Sequence, residues 1–525
     1  MKELHRNAFT VGSLTLLSRI TGLVREVVHA RFLGTGMAAD AFRVAFLLPN
    51  LLRRLVGEGA VASAFVPVYT EWSNSRGEAE ARTFAEKFIS LWLLLVTAAT
   101  AAGIALAGWI IYLCFHWGTF RDPAKLELTT ELSRLLFPYL ILIGGVAAAQ
   151  GILNARGIFA SPAFAPVVFN IVFVAGVFGL VPLLGEERTA FAMAVAVLLG
   201  GVGQLAVLVP PLRRLGIRLA PSNPFSHKGV RDVMRLLAPA TLGAGVYQIN
   251  VMASTALAAR LEEGAVASLS YSNRLMEFVL GIFVFALSTV SLTALSRHMA
   301  RSDRAAFEDT ASEVFRLIAF ITVPSTVGLY LLRRPVIAVL FEGGKFGPDS
   351  LELTAAAFRY HVLGMLFIGW NRILVACFYA RKDIRTPVVQ GFINLLFNLA
   401  LSWWLSEGPL RHAGIALAST LAAILQGAAL FWLLLRRMPG LRIHGLFSTT
   451  LRTLIASAVM GVACDGALRL VWTPALEGRF ARGAAVAFVI AVGVAVFFAA
   501  AWALRLKEVR VFTALLRGRR PVRGK

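Results

Sequence analysis

The sequence predicts an all-α polytopic membrane protein, and three observations support this fold class. Hydrophobic residues make up 58% of the 525 residues and the mean hydropathy is +0.72, whereas soluble proteins contain about 45–50% apolar residues. Apolar stretches such as 88–115 and 484–504 are long enough to cross a bilayer, which takes roughly 20 residues. The alternation of apolar and polar residues that a membrane β-barrel requires is not seen in the sequence.

Short polar loops separate about fourteen apolar segments, each long enough to form a transmembrane helix. The first segment contains Arg19 and lacks a small-residue cleavage site, so we interpret it as a span rather than a signal peptide. The predicted spans have the approximate limits 8–33, 39–71, 86–115, 127–153, 160–184, 189–212, 230–259, 265–296, 314–341, 352–379, 384–405, 412–435, 449–472 and 483–505.

Lysine and arginine are concentrated in alternate loops, which predicts the orientation of the chain. The basic segments 213–235, 297–316, 436–452 and 505–525 fall on one side if the spans alternate. Basic loops stay in the cytoplasm, so we predict that both termini are cytoplasmic. The net charge of +23 therefore reflects topology and an attraction to anionic membrane lipids, and we predict no binding of nucleic acid.

Two pairs of similar segments indicate an internal repeat, with chance similarity of apolar sequence as the alternative. Residues 154–166 resemble 379–391, and their Ala-Arg and Ser/Thr-Pro pairs match at one offset of 225 residues. Residues 61–84 also resemble 286–307. Because six spans restore the starting side, the repeat predicts two parallel six-helix lobes around a central cavity, as in transporters. The predicted domains are an N-terminal lobe at 1–220, a C-terminal lobe at 221–440, and two additional helices with a basic tail at 441–525.

Charged residues inside the predicted spans carry the main functional signal. A charge at the bilayer centre costs at least about 2.5–3.5 kcal/mol, so it must face protein or water. Arg54 and Glu58 have the spacing of a helical ion pair, and so do Arg274 and Glu277. We expect three arginines near span ends to reach the interface: Arg31, Arg43 and Arg359. The arginines that still outnumber the carboxylates are Arg19, Arg25, Arg53, Arg274 and Arg372.

An excess of arginine in membrane spans predicts an anionic ligand. Guanidinium groups bind phosphate oxygens through two parallel hydrogen bonds, so we expect a water-accessible cavity that binds a phosphate or diphosphate. The sequence contains no G-x-x-x-x-G-K-[ST] motif, and its His and Cys residues lack metal-ligand spacing. We therefore predict a transporter without a cofactor, driven by an ion gradient or by the membrane potential, with the coupling ion left open.

Residues 18–68 closely resemble the first two spans of the MurJ (MviN) lipid II flippase family. Three further stretches resemble that family in the same order: YSNRLMEF (271–278), FEGGKF (341–346) and FYARKDIRTPV (378–388). The resemblance covers essentially the whole chain, although the last two spans match in position and hydrophobicity rather than in motif. It implies the fold of the multidrug/oligosaccharidyl-lipid/polysaccharide exporter superfamily.

The resemblance also implies a function in the bacterial cytoplasmic (inner) membrane. A member would move lipid II, the undecaprenyl-diphosphate-linked peptidoglycan precursor, from the inner to the outer leaflet by alternating access, as a transporter and not as an enzyme. The substrate-binding arginines carried over from the family are Arg19, Arg25, Arg53 and Arg274. The residues that we assign to gating or coupling are Glu26, Asp40, Arg54, Glu58, Glu277 and Arg372. Spans 13 and 14 would form a groove for the lipid tail.

Two features depart from the family pattern. Glu26 stands where the family often has Asp. Some members bind sodium through carboxylates, and the nearest candidates for an ion site here are the amides Asn250, Asn394 and Asn398. An amide oxygen supplies only a dipole, so this set makes a weak cation site and the resemblance does not predict sodium coupling.

Three alternative functions stay open at this point. They are a flippase for a different polyprenyl-diphosphate-linked glycan, a membrane-embedded polyprenyl-phosphate transferase and a drug exporter. A transferase should carry an Asp-x-Asp pair or a His-Asp cluster, and none is present in the sequence; a drug exporter should have an anionic pocket for cations, which the arginine excess opposes. The expected partners are lipid II or a similar glycan, anionic membrane lipids and cell-wall synthesis proteins.

Overall fold

The secondary structure of the described residues is α-helical apart from two short 3₁₀ turns. The computed structural model describes residues 2–56, 60–217, 223, 227–473, 476 and 478–510. The α-helices of this part of the chain are α1 (Lys2–Leu33), α2 (Met37–Val56), α3 (Ala60–Arg76), α4 (Glu78–Phe115), α5 (Pro123–Leu136), α6 (Tyr139–Ala155), α7 (Ala160–Leu184), α8 (Thr189–Ala206), α9 (Val209–Arg214), α10 (Lys228–Ala258), α11 (Ala265–Ala300), α12 (Arg304–Leu331), α13 (Arg333–Phe341), α14 (Pro348–Leu363), α15 (Met365–Ala380), α16 (Arg385–Ser406), α17 (Arg411–Arg437), α18 (Leu446–Val471) and α19 (Arg479–Ala503). The predicted all-α fold class is confirmed.

Ten helical segments in the described residues are long and apolar enough to cross a membrane. An eleventh is obtained if α14 and α15, which are bent by 44° relative to each other, form one broken span. Each predicted span coincides with a helix or a pair of helices. However, α1, α2, α3 and α10 are not among the segments that are long and apolar enough to cross a membrane. The exact number of fourteen spans therefore stays a prediction.

Local sequence signals explain where several helices begin and break. Asp122 caps α5: its side chain accepts a hydrogen bond from the amide of Ala124 at 3.0 Å, and Pro123 fills the first helical turn. Asp303 caps α12 in the same way. The predicted span 127–153 is divided into α5 and α6 at Pro138, because proline has no N–H for the helical ladder.

The first compact unit comprises Met1–Ala267 and the short segment Gly344–Phe346. Within it, α7 packs against α1 and α8, α2 packs against α5, and α3 packs against α6. Helix α10, which the repeat assigns to the second lobe, packs against α2, α3 and α4 of this unit. The division of the lobes at residue 220 stays a prediction.

The second compact unit comprises Ser268–Gly343 and Gly347–Lys525. Helix α17 packs against α14, α15 and α16, and α12 packs against α15 and α18. The last two helices, α18 and α19, attach to α12 through an apolar cluster that includes Phe320, Met460, Cys464, Val489 and Phe497. The C-terminal helices are thereby fixed to the body of this unit by side-chain packing.

Candidate functional site

In the first unit, the side chains of α1, α2 and α7 build a network around Glu26. Arg25 Nη2 donates to Glu26 Oε1 at 3.2 Å, and Arg43 Nη2 donates to Glu26 Oε2 at 2.7 Å. On its other side Arg25 Nη1 donates to Asn170 Oδ1 at 3.1 Å. One carboxylate therefore faces two guanidinium groups, so the network keeps a net positive charge.

Exposure differs sharply across this network. The Glu26 side chain is 5% exposed, whereas the side chain of Arg25 is 24% exposed. The Arg25 guanidinium also lies 5.6 Å from the centroid of the Phe169 ring, a cation–π distance. Arg25 is thus oriented by several partners and still partly reachable from outside the protein, which is the arrangement that an anion-binding arginine needs.

Arg43 has a different role from the one its position near a span end indicates. We expected it to reach the membrane interface, but its guanidinium contacts Glu26 and lies 3.4 Å from His29 Nδ1. The neighbouring carboxylate is the physical reason, because a buried charge is retained where it has a hydrogen-bonded partner.

Asp40 lies in a second, separate cluster. Lys125 Nζ on α5 donates to Asp40 Oδ2 at 3.0 Å and to Thr119 Oγ1 at 3.1 Å. The backbone amides of Gly264 and Ala267 donate to Asp40 Oδ2 and Oδ1, each at 2.9 Å. The side chains of Asp40 and Lys125 are only 1% and 2% exposed, so this ion pair is sealed inside the protein.

Gly264 allows the loop before α11 to reach Asp40. Its φ of +85° lies in the left-handed region, and a Cβ at this position would overlap the carbonyl oxygen of Thr35. Any other residue would therefore be strained here and would push the donating amide away from the Asp40 carboxylate. The clamp around Asp40 depends on backbone geometry as well as on charge.

Three further arginines of α1 and α2 are half-buried. Arg53 Nε donates to Asn50 Oδ1 at 2.8 Å, one helical turn back. Arg19 and Arg54 are also half-buried. Glu58 lies outside the described residues, so the predicted pair of Arg54 with Glu58 stays a prediction.

In the second unit, Arg274 and Glu277 form the ion pair that their spacing allows. Arg274 Nη1 donates to Glu277 Oε2 at 3.0 Å, and the two side chains are 36% and 28% exposed. The guanidinium of Arg372 lies 3.6 Å from the centroid of the Phe285 ring. Both arginines are thus oriented by contacts that still leave them partly exposed.

The three amides considered for an ion site are divided between the units. Asn250 lies on α10 in the first unit, and Asn394 and Asn398 lie on α16 in the second. Asn398 is 3% exposed and the other two are half-buried. Within the described residues, no three His, Cys, Asp or Glu side chains are grouped closely enough to hold a metal ion.

Sequence reasoning missed Lys125 and Asn170, and it also missed Thr119 and His29. Lys125 falls in a polar segment that looks like a loop, and Asn170 is a single amide in an apolar span. The signal for Asn170 is its isolation: an amide among apolar residues needs hydrogen-bond partners, which neighbouring helices supply. No comparable local signal marks Lys125, because its partner Asp40 is distant in sequence.

Comparison with known proteins identifies the family. The sequence model of the family described as lipid II flippase MurJ matches residues 29–482. The chain belongs to the MurJ lipid II flippase family. The lipid II flippase MurJ of Burkholderia cenocepacia is 32% identical over 517 residues, which cover 96% of this chain and 98% of that relative.

Solved structures agree with the fold. A lipid II flippase MurJ in an inward closed conformation matches with a TM-score of 0.76 at 24% identity and covers 97% of this chain and 98% of its own. An inward-facing multidrug resistance transporter, which belongs to the MATE family of the MOP superfamily, matches with a TM-score of 0.69 at 14% identity, and the match covers 84% of this chain and 99% of that transporter. The family model and the relative of almost equal length confirm the predicted family and the prediction that this chain is a transporter and not an enzyme.

Proposed function

We propose that this chain is a flippase that moves lipid II from the inner to the outer leaflet of the bacterial cytoplasmic membrane. The observation that carries the proposal is the match to the MurJ family, which extends over residues 29–482 and is joined by a relative of almost equal length. The membrane-spanning helices and the partly exposed arginines add physical support, since the substrate is a lipid with an anionic diphosphate.

Arg25 and Arg274 are the arginines best suited to bind the diphosphate. Each is paired with a neighbouring glutamate, Glu26 or Glu277, and each retains partial exposure. Phosphate oxygens compete with carboxylates for the same guanidinium geometry. In this proposal the diphosphate replaces part of each arginine–glutamate contact when the substrate binds. The ion pairs form again when the substrate leaves.

Depletion of the protein in its native host tests the proposed function. We expect the cells to lyse while lipid-linked peptidoglycan precursor accumulates in the inner leaflet, because synthesis continues but outward transport stops. Expression of the intact chain should reverse both effects. Continued growth with precursor reaching the outer leaflet, or accumulation of a different polyprenyl-linked glycan, would contradict the proposal.

The basic loops support a proposal for the orientation of the chain in the membrane and for its lipid partners. We place both termini in the cytoplasm on the basis of the basic loops; the tail after Arg510 lies outside the described residues. The same basic segments are suited to anionic lipid headgroups. Enzymes of cell-wall synthesis are the expected protein partners, since the substrate is their product on one side of the membrane and their precursor on the other.

The coupling that we propose is to the membrane potential and not to a bound sodium ion. The residues considered for an ion site, Asn250, Asn394 and Asn398, are amides that supply dipoles and no charge, whereas one elementary charge that moves through the potential gains about 2.3 kcal/mol per 100 mV. Purified protein in liposomes with a fluorescent lipid-diphosphate substrate provides the test. An imposed potential should change the flipping rate in sodium-free buffer. Flipping that requires sodium and saturates with it at zero potential would contradict this coupling.

A further inference from the structure

Asn170 on α7 makes three hydrogen bonds to α1. The residue is 4% exposed. Its Oδ1 accepts from Arg25 Nη1 at 3.1 Å, and its Nδ2 donates to Ser18 O at 3.2 Å and to Thr21 Oγ1 at 3.1 Å. Both N–H groups and the oxygen of the amide are therefore used, and all of the partners lie on one helix.

These partners fix the orientation of the amide. Ser18 offers a carbonyl oxygen, which can only accept, and Arg25 offers N–H groups, which can only donate. A rotated amide would place oxygen against oxygen at Ser18 and nitrogen against nitrogen at Arg25. The Oδ1 atom must consequently face the guanidinium.

Asn170 and Glu26 hold the two ends of one guanidinium. Asn170 accepts from Nη1 and Glu26 accepts from Nη2, and these two acceptors come from different helices. Acceptors on both terminal nitrogens restrict the rotation of the planar guanidinium more than an acceptor on one of them would. Bidentate binding of phosphate depends on that plane being set before the ligand arrives.

We propose that Asn170 is a positioning residue for Arg25: it sets the plane in which the guanidinium meets the diphosphate. This inference rests on the proposed function. A neutral amide suits the task, because it orients the arginine without cancelling its charge. A second carboxylate beside Glu26 would balance the guanidinium and compete with phosphate for it.

The test is equilibrium binding of a short-chain polyprenyl diphosphate, and of the matching monophosphate, to the purified full-length protein in detergent. Replacement of Asn170 by leucine (N170L) should weaken diphosphate binding up to about tenfold, because the ligand must then immobilise a long arginine side chain that is no longer oriented before binding. The preference for diphosphate over monophosphate should fall with it. In an Arg25→Lys background the same replacement should add little, since the group it positions is gone.

Two further variants control for folding. Thr21→Val removes a partner of the same amide on the side away from Arg25, and it should leave the Kd unchanged. Asn170→Asp keeps the acceptor atom but adds charge, so it should also weaken diphosphate binding even if N170L does not fold. Wild-type affinity in Asn170→Asp, or a loss in N170L that is equally large in the Arg25→Lys background, would overturn the inference.

The outcomes also separate this inference from the proposed function. If Arg25→Lys weakens diphosphate binding and N170L does not, the result supports the proposed role of Arg25 and contradicts that of Asn170. If neither variant changes binding, the result contradicts the proposed role of Arg25 and therefore also the positioning role of Asn170.

Discussion

Glu26 and Asp40 are both buried carboxylates that pair with a basic side chain from another helix, yet their surroundings differ. Asp40 and Lys125 are almost completely sealed, at 1% and 2% side-chain exposure. Glu26 is 5% exposed, but Arg25 beside it is 24% exposed. The comparison teaches that the number of charges in a span does not identify those that can meet a ligand; the exposure of the cation does.

The two carboxylates also differ in their remaining partners. Asp40 accepts hydrogen bonds from the backbone amides of Gly264 and Ala267, at the start of α11, in addition to the one from Lys125. Glu26 accepts from two arginine side chains. Backbone amides cannot leave without moving the chain, whereas arginine side chains can rotate. We therefore interpret the Asp40 cluster as a structural clamp and the Glu26 network as the part that responds to substrate.

The largest expected effect is the loss of the sealed pair. Asp40→Ala should lower the free energy of unfolding by about 3–5 kcal/mol, because it leaves the Lys125 charge buried without its carboxylate. Thermal unfolding of the purified protein in detergent measures the change. The matched control is Glu277→Gln, whose pair with Arg274 is partly exposed and should contribute no more than about 1 kcal/mol.

A double replacement sharpens this prediction. Lys125→Met combined with Asp40→Asn should cost less than the sum of the two single changes, because neither partner is left as an isolated charge. It should not return fully to the wild-type stability, since an amide cannot accept from both Gly264 and Ala267 through oxygen. Equal losses for Asp40→Ala and Glu277→Gln would remove the distinction between sealed and exposed pairs.

An intermediate effect is expected from the backbone that supports the clamp. Gly264→Ala should destabilise the protein by more than the roughly 1–2 kcal/mol of a left-handed backbone, because the new Cβ also overlaps the Thr35 carbonyl. Gly157→Ala is the control: Gly157 has a φ of +73° in the turn that ends α6 and no atom within 4 Å of the position that a Cβ would take. Thermal unfolding of both variants isolates the overlap. Equal losses would show that Gly264 is required only for its φ.

The smallest effect on stability, with a clear effect on transport, is expected at the partly exposed arginines. Arg25→Lys and Arg274→Lys should each reduce lipid II transport about tenfold, because lysine is a point charge and loses the bidentate hydrogen bonds. Arg235→Lys, at a site that is 74% exposed, is the control and should transport normally. The readout is transport in the liposome assay together with thermal unfolding. Full activity of both variants would contradict their role in binding the diphosphate.

Helix-level features of this protein follow directly from local sequence. Long apolar runs predicted α4, α7, α11 and α19, since a membrane-spanning helix must satisfy its own backbone hydrogen bonds and cover them with apolar side chains. Pro138 divides a predicted span into α5 and α6. A simple count of apolar residues does not show this break. The resemblance to the family was most specific at residues 18–68, where charged and small residues occur in a pattern that apolar composition alone does not produce.

Pairings between distant residues could not be predicted in the same way. The contacts of Asp40 with Lys125, and of Arg25 with Asn170, join residues 85 and 145 positions apart. Neither separation has a period that a helix or a loop imposes. The local pair of Arg274 with Glu277 was readable from spacing, because a helix brings residues three apart onto one face.

The sequence by itself determined the fold class, the family and the group of arginines suited to an anionic lipid, because hydropathy, helix periodicity and motif are local properties of the chain. The tertiary structure decided how those charges are used: it sealed Asp40 against Lys125, directed Arg43 to Glu26 and placed Asn170 against Arg25. The physical reason is that burial and hydrogen-bond partners are set by which helices pack together. That packing depends on residues far apart in the chain, so the neighbours of an arginine decide whether it is buried in an ion pair or stays partly exposed.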